Sequence, residues 1–587
     1  MRKNRATLHH LIVLAGVGCF LLLAITNGIS SDPAPHWLQF VWLYLGSIFL
    51  IWGFGRITLS SARTLSWGDL SRHEWLLLTG VLALVAILRF WELGSKVPVP
   101  VDELLPMTEI LALWDNPHLP MIRQFGLIST QTRLFASWQA ASVAVWGHNL
   151  LALRIPSAVV GTLTVGAVYF LGRVLFDRRI ALIGALILAT FPPHLQFSRI
   201  GQLSIADPLF GTLAFAFICL AFKNNRRIAW VLGGVALGLT QYFYEGGRLL
   251  YPALILIWVI GLLLSNRKAI RSWIPGLMVG AAAAIVIAAP IYYTLARSNN
   301  PLSIRFNILA LTGDDWLTLL TAPPGSPTFD FLIRHLIDPF LLFVNRPDST
   351  PYYGGSTALI LFFWVPPFLV GCLGTIRSRS GRGLLLWFFG TWAANILMVD
   401  SALVIHYVIV FPAVALLIAI GIAQLASFVP DSYRFKVTFV VVGLCALAQT
   451  VYYFGPHLDQ YEQQLVPERD GYDALFRAAE LPFGTAVYLV YPPETITENY
   501  AQTLLRFLAE DKTIHLIEEP TAFDLSTLSD ASTCAFFIPS DDTDTVKMLS
   551  QYFDFDVPQY SQYPISKEKA YTLYLGNLKS TPGKSNS

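Results

Sequence analysis

Charge is what this 587-residue sequence has least of: Asp, Glu, Lys and Arg make up 13% of it, against 54% hydrophobic residues. Ordinary soluble domains carry about 25% charged residues, and a chain this apolar has more nonpolar surface than folding alone can hide. With a mean hydropathy of +0.55, the composition excludes a soluble enzyme and defines an α-helical polytopic membrane protein. The net charge of +2 gives no basis for a nucleic-acid partner. Cysteine is scarce as well. Its five copies lie far apart, four in apolar stretches and only Cys534 elsewhere, which excludes a disulfide framework and a CxxC metal site. No GxGxxG or GxxxxGK[ST] loop occurs, so nothing supports nucleotide binding. Internal repeats are missing, and the polar tail Lys579–Ser587 is the one low-complexity tract.

Long apolar runs are what the sequence does have. The MRKNR start precedes a run from Leu11 to Ile29 that is long enough to span a bilayer and has no small-residue cleavage pattern after it, so it reads as a retained first helix. Hydropathy places further spans at about 37–57, 75–93, 153–175, 179–197, 205–222, 228–244, 248–264, 273–293, 356–374, 383–399, 402–424 and 437–454, about thirteen in all. Lys and Arg cluster on alternate loops: Arg2, Lys3 and Arg5; Arg63 and Arg72; Arg178 and Arg179; Arg226 and Arg227; Arg267, Lys268 and Arg271; Arg377, Arg379 and Arg382; Arg434 and Lys436. Basic loops stay cytoplasmic. The N-terminus is therefore expected inside a cell membrane, with residues 94–152, 298–353 and everything after Phe454 outside.

Three regions follow: 1–74, holding the first two helices; 75–454, a transmembrane catalytic domain; and 455–587, external. In the last, apolar runs shrink to strand length at Ala486–Tyr491, Thr513–Ile517, Cys534–Pro539 and Ala570–Leu575, with helical patterns at about 495–510 and 542–552, which predicts a small α/β domain. In the first external loop, apolar stretches ending at Trp114 and running from Leu134 to Trp146 suit helices lying in the headgroup layer. The second external loop, with Pro323, Pro324, Gly325 and Pro327, is longer than ordinary connections and suits a lid.

Candidate chemistry centres on Val97–Ile110, VPVPVDELLPMTEI. Pro98 and Pro100 stiffen the approach to two adjacent acids, Asp102 and Glu103, at a membrane surface just before an amphipathic pattern. Taken alone, such a pair is most simply a solvated helix cap. Oxygen and imidazole ligands recur at Asp314–Asp315, His335 with Asp338, and His457 with Asp459, but none has a recognised metal spacing. These residues establish no cofactor; a divalent cation is the one that they would suit.

The Asp102–Glu103 pair in the first large external loop, LLALRIPSAVVGTLTVGAVYFLGRVLFDRR (Leu150–Arg179) and SRIGQLSIADP (Ser198–Pro208) together resemble the C-type-fold (GT-C) polytopic glycosyltransferases. More narrowly the chain is similar, over roughly residues 75–425, to the family 39 group of protein O-mannosyltransferases and aminoarabinose-transferase-like enzymes. It departs from them in two extra N-terminal spans and in having Gln131-Thr132-Arg133-Leu134 where a Lys-Pro-Pro-Leu-like element is usual. The resemblance implies a polyprenyl-phosphate-linked sugar donor and a protein, lipid or glycan acceptor. It also implies Asp102 as the base that takes the acceptor hydroxyl's proton. Glu103 is then expected to orient the acceptor, hold a cation or raise its neighbour's pKa. A single displacement at the anomeric carbon inverts its configuration.

The lipid-phosphate leaving group needs balancing charge outside. Arg133 and Arg248 lead for that role, with Arg199, Arg297, Arg305 and His406 at the same boundary. Glu245 precedes Arg248 in YFYEGGRLL, where Gly246 and Gly247 would let the backbone turn tightly, and Asp207 is a second acidic marker that is also an ordinary helix cap before a proline. A lipid-linked-sugar polymerase or ligase is the nearest alternative, and a membrane transporter a more distant one.

Overall fold

The structure, a computed structural model, describes residues 2–55, 72–97, 101–125, 129–298, 304–378, 380–469, 473–482, 484–490, 498–509, 513–517, 534–563, 565 and 570–579. Pro98, Pro100, Arg63 and Arg379 lie outside them. The apolar runs become helices α1 (Arg2–Gly28), α2 (His36–Gly55) and α3 (Arg72–Phe90). The first external loop holds α4 (Leu104–Asp115), a hairpin of β1 (Ile122–Phe125) and β2 (Ser129–Thr132), and α5 (Leu134–Trp146). Then come α6 (Leu150–Leu175), α7 (Arg178–Thr190), α8 (Pro192–Arg199), α9 (Ala206–Asn224), α10 (Arg227–Leu239), α11 (Glu245–Ser265) and α12 (Ile270–Arg297).

Beyond α12, the 298–353 loop is not irregular. It folds into α13 (Ile304–Leu309), α14 (Gly313–Leu320) and α15 (Pro327–Val344). The bundle closes with α16 (Val365–Thr375), α17 (Arg382–Ile396), α18 (Phe411–Leu425) and α19 (Asp431–Tyr452), and α20 (Leu458–Arg469) leads out of it. Among the described residues, eight helices are long and apolar enough to cross a membrane, or nine if the bent pair α7 and α8 is one span. The chain is a multi-pass membrane protein.

Prolines explain where helices depart from the hydropathy runs. The expected span 179–197 breaks at Phe191, because Pro192 pushes the preceding residue out of the helical region, and α7 and α8 meet at 58°. Prolines likewise open α16 and α18 at their first turns. The expected spans 356–374 and 402–424 therefore begin with entries that are not α-helical, Ser356–Leu361 as open chain and Val404–Val410 as a 3-10 helix. Inside the bundle, a Cβ at Gly421 would lie 1.7 Å from the Pro367 carbonyl oxygen and one at Gly371 1.9 Å from that of Leu417. These glycines let α16 and α18 pack backbone to backbone, as small residues do between membrane helices.

Hydrogen bonds sort the helix ends. At one end the Lys223 ammonium reaches the Val174 carbonyl, Asn225 Nδ2 donates to Ser272 O and Arg227 Nε to Phe54 O. These are the turns with basic clusters. At the other end the acidic loop meets the turn at Gly201, and Asp207 meets the turn at Tyr244–Gly247.

The C-terminal region is an α/β unit of five strands in the order β4-β3-β5-β7-β6. Here α21 (Asp473–Ala479) precedes β3 (Ala486–Val490), α22 (Glu498–Leu508), β4 (Thr513–Ile517), β5 (Cys534–Pro539), α23 (Thr543–Leu549), β6 (Phe553–Phe555) and β7 (Tyr571–Leu578). β3 runs parallel to both β4 and β5, while β7 is antiparallel to β5 and β6. Strand β6, three residues long, carries too short an alternation to be seen in the sequence. One face of this sheet shares a core with the membrane-proximal helices: Leu104, Met107, Ile110 and Leu111 of α4 cluster with Leu504, Leu505 and Phe507 of α22.

Candidate functional site

The two adjacent acids have different surroundings. Residues Val101–Glu103 form a single 3-10 turn that runs into α4. Glu103 points inward and is fully buried. It takes two parallel bonds from Arg154, Nε to Oε1 at 2.8 Å and Nη2 to Oε2 at 2.6 Å, and a third from the Gly201 amide to Oε1 at 2.5 Å. Arg154, equally buried, spends its remaining nitrogen, Nη1, on the carbonyls of Leu93 (3.1 Å) and Val97 (2.8 Å). Arg154 thus ties the acidic turn to the segment leading into it. Two-toothed geometry and full satisfaction are the conditions under which a buried ion pair is tolerated. The Glu103 carboxylate is committed to that pair, whereas Asp102, only partly buried, accepts a bond from the Tyr352 hydroxyl to Oδ2 at 2.7 Å.

Tyr352 is delivered by a turn that the sequence reading passed over. Asp348 is 2% exposed and its Oδ2 accepts from Thr350 Oγ1 at 2.6 Å and from the Gly354 amide at 2.8 Å, closing the DSTPYYG loop on itself. Burial pushes the Asp348 carboxyl up to about 6, against the opposing pull of those donors. Gly354 and Gly355 have φ of +63° and +101°, the left-handed region that favours glycine. The next ring, Tyr353, stacks on His457 at 4.3 Å between centroids, and Tyr461 Oη donates to Pro351 O at 2.7 Å. The loop is held from both sides. Its one sequence signal is the tyrosine pair followed by the glycine pair.

A second cluster sits at the start of α11. Asp207, fully buried, does not cap its own helix. Its carboxylate accepts from the amides of Tyr244 (3.3 Å) and Gly247 (3.0 Å), so it caps α11 instead. The role of Gly247 is therefore clearance rather than a tight turn, since a Cβ there would lie 2.2 Å from Asp207 Oδ2. One residue later Arg248, 1% exposed, donates Nε to Gln241 O at 2.9 Å. Its Nη1 and Nη2 are buried and have no hydrogen-bond acceptor among the described residues. Gln241 is held in turn by Tyr292, whose hydroxyl donates to Oε1 at 2.7 Å. Beside them Tyr244, Glu245, Gly246, Leu249, Leu250, Phe306, Ala394, Asn395, Met398 and His406 line a mainly apolar cavity of about 100 Å³. The structure thus brings Glu245 and His406 to one cavity, with Arg248 on the helix that borders it and Asp207, from α9, capping that helix.

Other expected residues fall elsewhere. Arg133 is buried and pairs with Glu109 (Nε to Oε2, 2.6 Å), while its Nη1 donates to Pro120 O at 2.5 Å, so it braces the first loop. Arg199 donates to the carbonyls of Leu88, Arg89 and Glu92 and lies over the Phe454 ring. Arg297 is exposed at the end of α12, and the Arg305 side chain lies outside the described residues. The candidate metal pairs have other occupations. Asp315 closes a capping box with Thr312, His335 contacts the Ile396 carbonyl, Asp338 pairs with Arg346, and His457 lies in the aromatic stack. Among the described residues no group of three His, Cys, Asp or Glu side chains is placed to hold a metal.

Residues 132–293, which include Arg133, Arg154, Asp207, Glu245 and Arg248, match the family described as dolichyl-phosphate-mannose-protein mannosyltransferase. This match, from the end of β2 into α12, makes the chain similar to polytopic membrane glycosyltransferases of the protein mannosyltransferase type. No curated protein sequence matches the chain. Among solved structures, ArnT from Cupriavidus metallidurans bound to undecaprenyl phosphate is similar at 14% identity over 88% of this chain and 100% of that one, with a TM-score of 0.49. AglB of Archaeoglobus fulgidus, in complex with an inhibitory peptide and a dolichol-phosphate, is similar at 14% identity over 85% of this chain and 74% of that one, with a TM-score of 0.46. The Pmt1–Pmt2 protein O-mannosyltransferase complex of S. cerevisiae, bound to the sugar donor, is similar at 20% identity over 42% of this chain and 35% of that one, at 0.29.

Proposed function

We propose that the chain transfers a glycosyl group from a polyprenyl-phosphate-linked sugar to an acceptor hydroxyl at the external face of the cell membrane, with inversion at the anomeric carbon. The observation that carries this reading is the division of labour in the acidic turn: Glu103 is saturated by Arg154 and Gly201, while Asp102 is partly exposed and, among the described residues, is hydrogen-bonded to a tyrosine hydroxyl alone. Asp102 takes the acceptor hydroxyl's proton as the acceptor oxygen bonds to the anomeric carbon. The bond from that carbon to the phosphate oxygen breaks, and polyprenyl phosphate departs as an anion. Tyr352 orients the base. Arg248, whose two terminal nitrogens lack an acceptor, supplies the forked donor that suits a phosphate, and the apolar cavity against Glu245 and His406 takes the first part of the lipid chain.

The test separates chemistry from binding. Asp102→Asn keeps the size of the side chain but cannot accept the proton, so kcat is expected to fall about a hundredfold or more with donor binding retained. Arg248→Ala is expected to weaken donor binding, since a phosphate contact already made in the ground state appears in KM. Purified variants and a labelled polyprenyl-phosphate sugar give both readouts. Native turnover in a correctly inserted Asp102→Asn protein would remove Asp102 as the base and favour a lipid-linked-sugar polymerase or ligase, which leans on external Arg and His instead.

A further inference from the structure

We infer that the C-terminal α/β domain is a fixed brace for the helix that carries the acidic pair, and that Phe507, Leu504 and Arg506 are positioning residues for catalysis. The inference rests on the reading of Asp102 as the base. Helix α4 begins directly after Glu103, so any tilt or rotation of α4 moves the Asp102 carboxylate relative to Tyr352. Helix α4 packs against α5 on one side and against α22 of the C-terminal domain on another.

The contact runs the whole length of α4, about 18 Å for twelve residues. Near its start, Leu104, Met107 and Leu111 join one core with Leu504, Leu505 and Phe507. At its middle, the hydroxyls of Thr108 and Thr503 are 3.4 Å apart and hydrogen-bonded. At its end, Arg506 forms a two-toothed ion pair with Asp115, which holds that carboxyl below its usual range. Beside that pair the His148 ring lies against Trp114, 4.8 Å between centroids, and against Phe507 at 5.6 Å. His148 comes from the turn between α5 and α6, so the same ring ties α22 to the helix bearing Arg154. Leu504 and Phe507 are fully buried in a contact between chain segments almost 400 residues apart. Among the described residues, these contacts do not include Asp207, Gln241 or Arg248.

This arrangement separates a brace from an acceptor clamp that swings during turnover. A brace must stay closed while the enzyme works. A clamp must open. The experiment uses the full-length protein in detergent or nanodiscs. Phe507→Ala, with Phe507→Leu as the milder variant in case the first does not fold, loosens the apolar contact. It is expected to lower kcat about tenfold while leaving the dissociation constant for the labelled donor within twofold. Thr108→Cys with Thr503→Cys then allows α4 and α22 to be joined by a disulfide, its formation checked by mass spectrometry against the five native cysteines. In the Phe507→Ala background, oxidation is expected to restore kcat to within about twofold of native, and reduction to remove the gain. Loss of activity on oxidation in the otherwise native protein would show that the domain has to move, and overturns the proposal. So does unchanged kcat in folded Phe507→Ala protein, or a lowered kcat that oxidation does not recover. The Asp102→Asn measurement fails independently of these: an active Asp102→Asn protein removes the base, whereas the tether results report on α4 whichever residue at its start does the chemistry.

Discussion

At the residue scale, the acidic turn shows how two neighbours in sequence take separate duties. Successive side chains of a 3-10 turn diverge, so when Glu103 is turned to Arg154 in the core, Asp102 is directed to Tyr352. If Glu103 only orients the acceptor, one of the three roles expected of it from the sequence, Glu103→Gln is the gentler substitution. The geometry reverses that order for stability. Glu103→Gln leaves the Arg154 guanidinium buried without its counter-charge, and breaking one side of a buried pair costs about 3–5 kcal/mol. Asp102→Asn loses no ion pair. The thermal midpoint in detergent should therefore drop clearly for Glu103→Gln and hardly at all for Asp102→Asn. A Glu103→Gln protein as stable as native would mean that the Arg154 contact contributes nothing. The pair itself was in plain view as Asp102-Glu103 and the Arg-Ile-Pro-Ser block, but not the bond between them, because it joins residues 51 apart. The same limit applies to Arg133. Its boundary position suits a phosphate ligand, and only folding brings Glu109 against it.

At the scale of elements, the apolar runs told most of the story. Every expected span has a helix within it, and the four expected C-terminal strands are β3, β4, β5 and β7. What the runs could not show is where a helix gives way to open chain. Pro192 splits one run, and Ser356–Leu361 lies at the start of another yet is open chain, with the amides of Leu359 and Ile360 donating to the last turn of α15 at Leu342 and Phe343. The Tyr352 loop between α15 and that segment has no periodicity at all. Its shape depends on Asp348, and this makes a pH prediction. The folded-state pKa of about 6 lies above the usual 3.8, so the folded loop prefers the protonated acid. The stabilisation this confers is fully present below about pH 3.8 and is lost as pH rises through about 6, an effect of at most about 3 kcal/mol at 1.36 kcal/mol per pKa unit. Asp348→Asn cannot ionise and keeps an acceptor for Gly354. Its thermal midpoint relative to native should therefore rise from pH 5 to pH 7.5. A difference that does not change with pH would show that Asp348 ionises freely in the folded protein.

At the scale of the whole molecule, orientation is the property on which the proposed mechanism depends, and it divides into which end of the bundle is cytoplasmic and which side carries the C-terminal domain. The basic turns around Val174, Asn225 and Ser272 lie together at one end of the bundle, as the positive-inside rule requires of a cytoplasmic face. The C-terminal domain shares a core with α4, so it lies on the same side as Asp102 whatever the number of spans between them. Opposite sides for these two would need that core to be pulled apart. Impermeant maleimide labelling of single cysteines introduced at exposed positions tests both at once. Val557, 82% exposed on the C-terminal domain, reports one face, and Ser432, exposed at the start of α19 beside Arg434, reports the other. In intact cells Val557→Cys should label and Ser432→Cys should stay silent until the membrane is permeabilised. The reverse pattern would keep the fold but move the acidic turn to the cytoplasm, where a base for external transfer has no acceptor to serve. Labelling of both in intact cells would mean that an odd number of crossings between 432 and 557 has been misassigned, and α19 would then lie along the surface rather than through the bilayer.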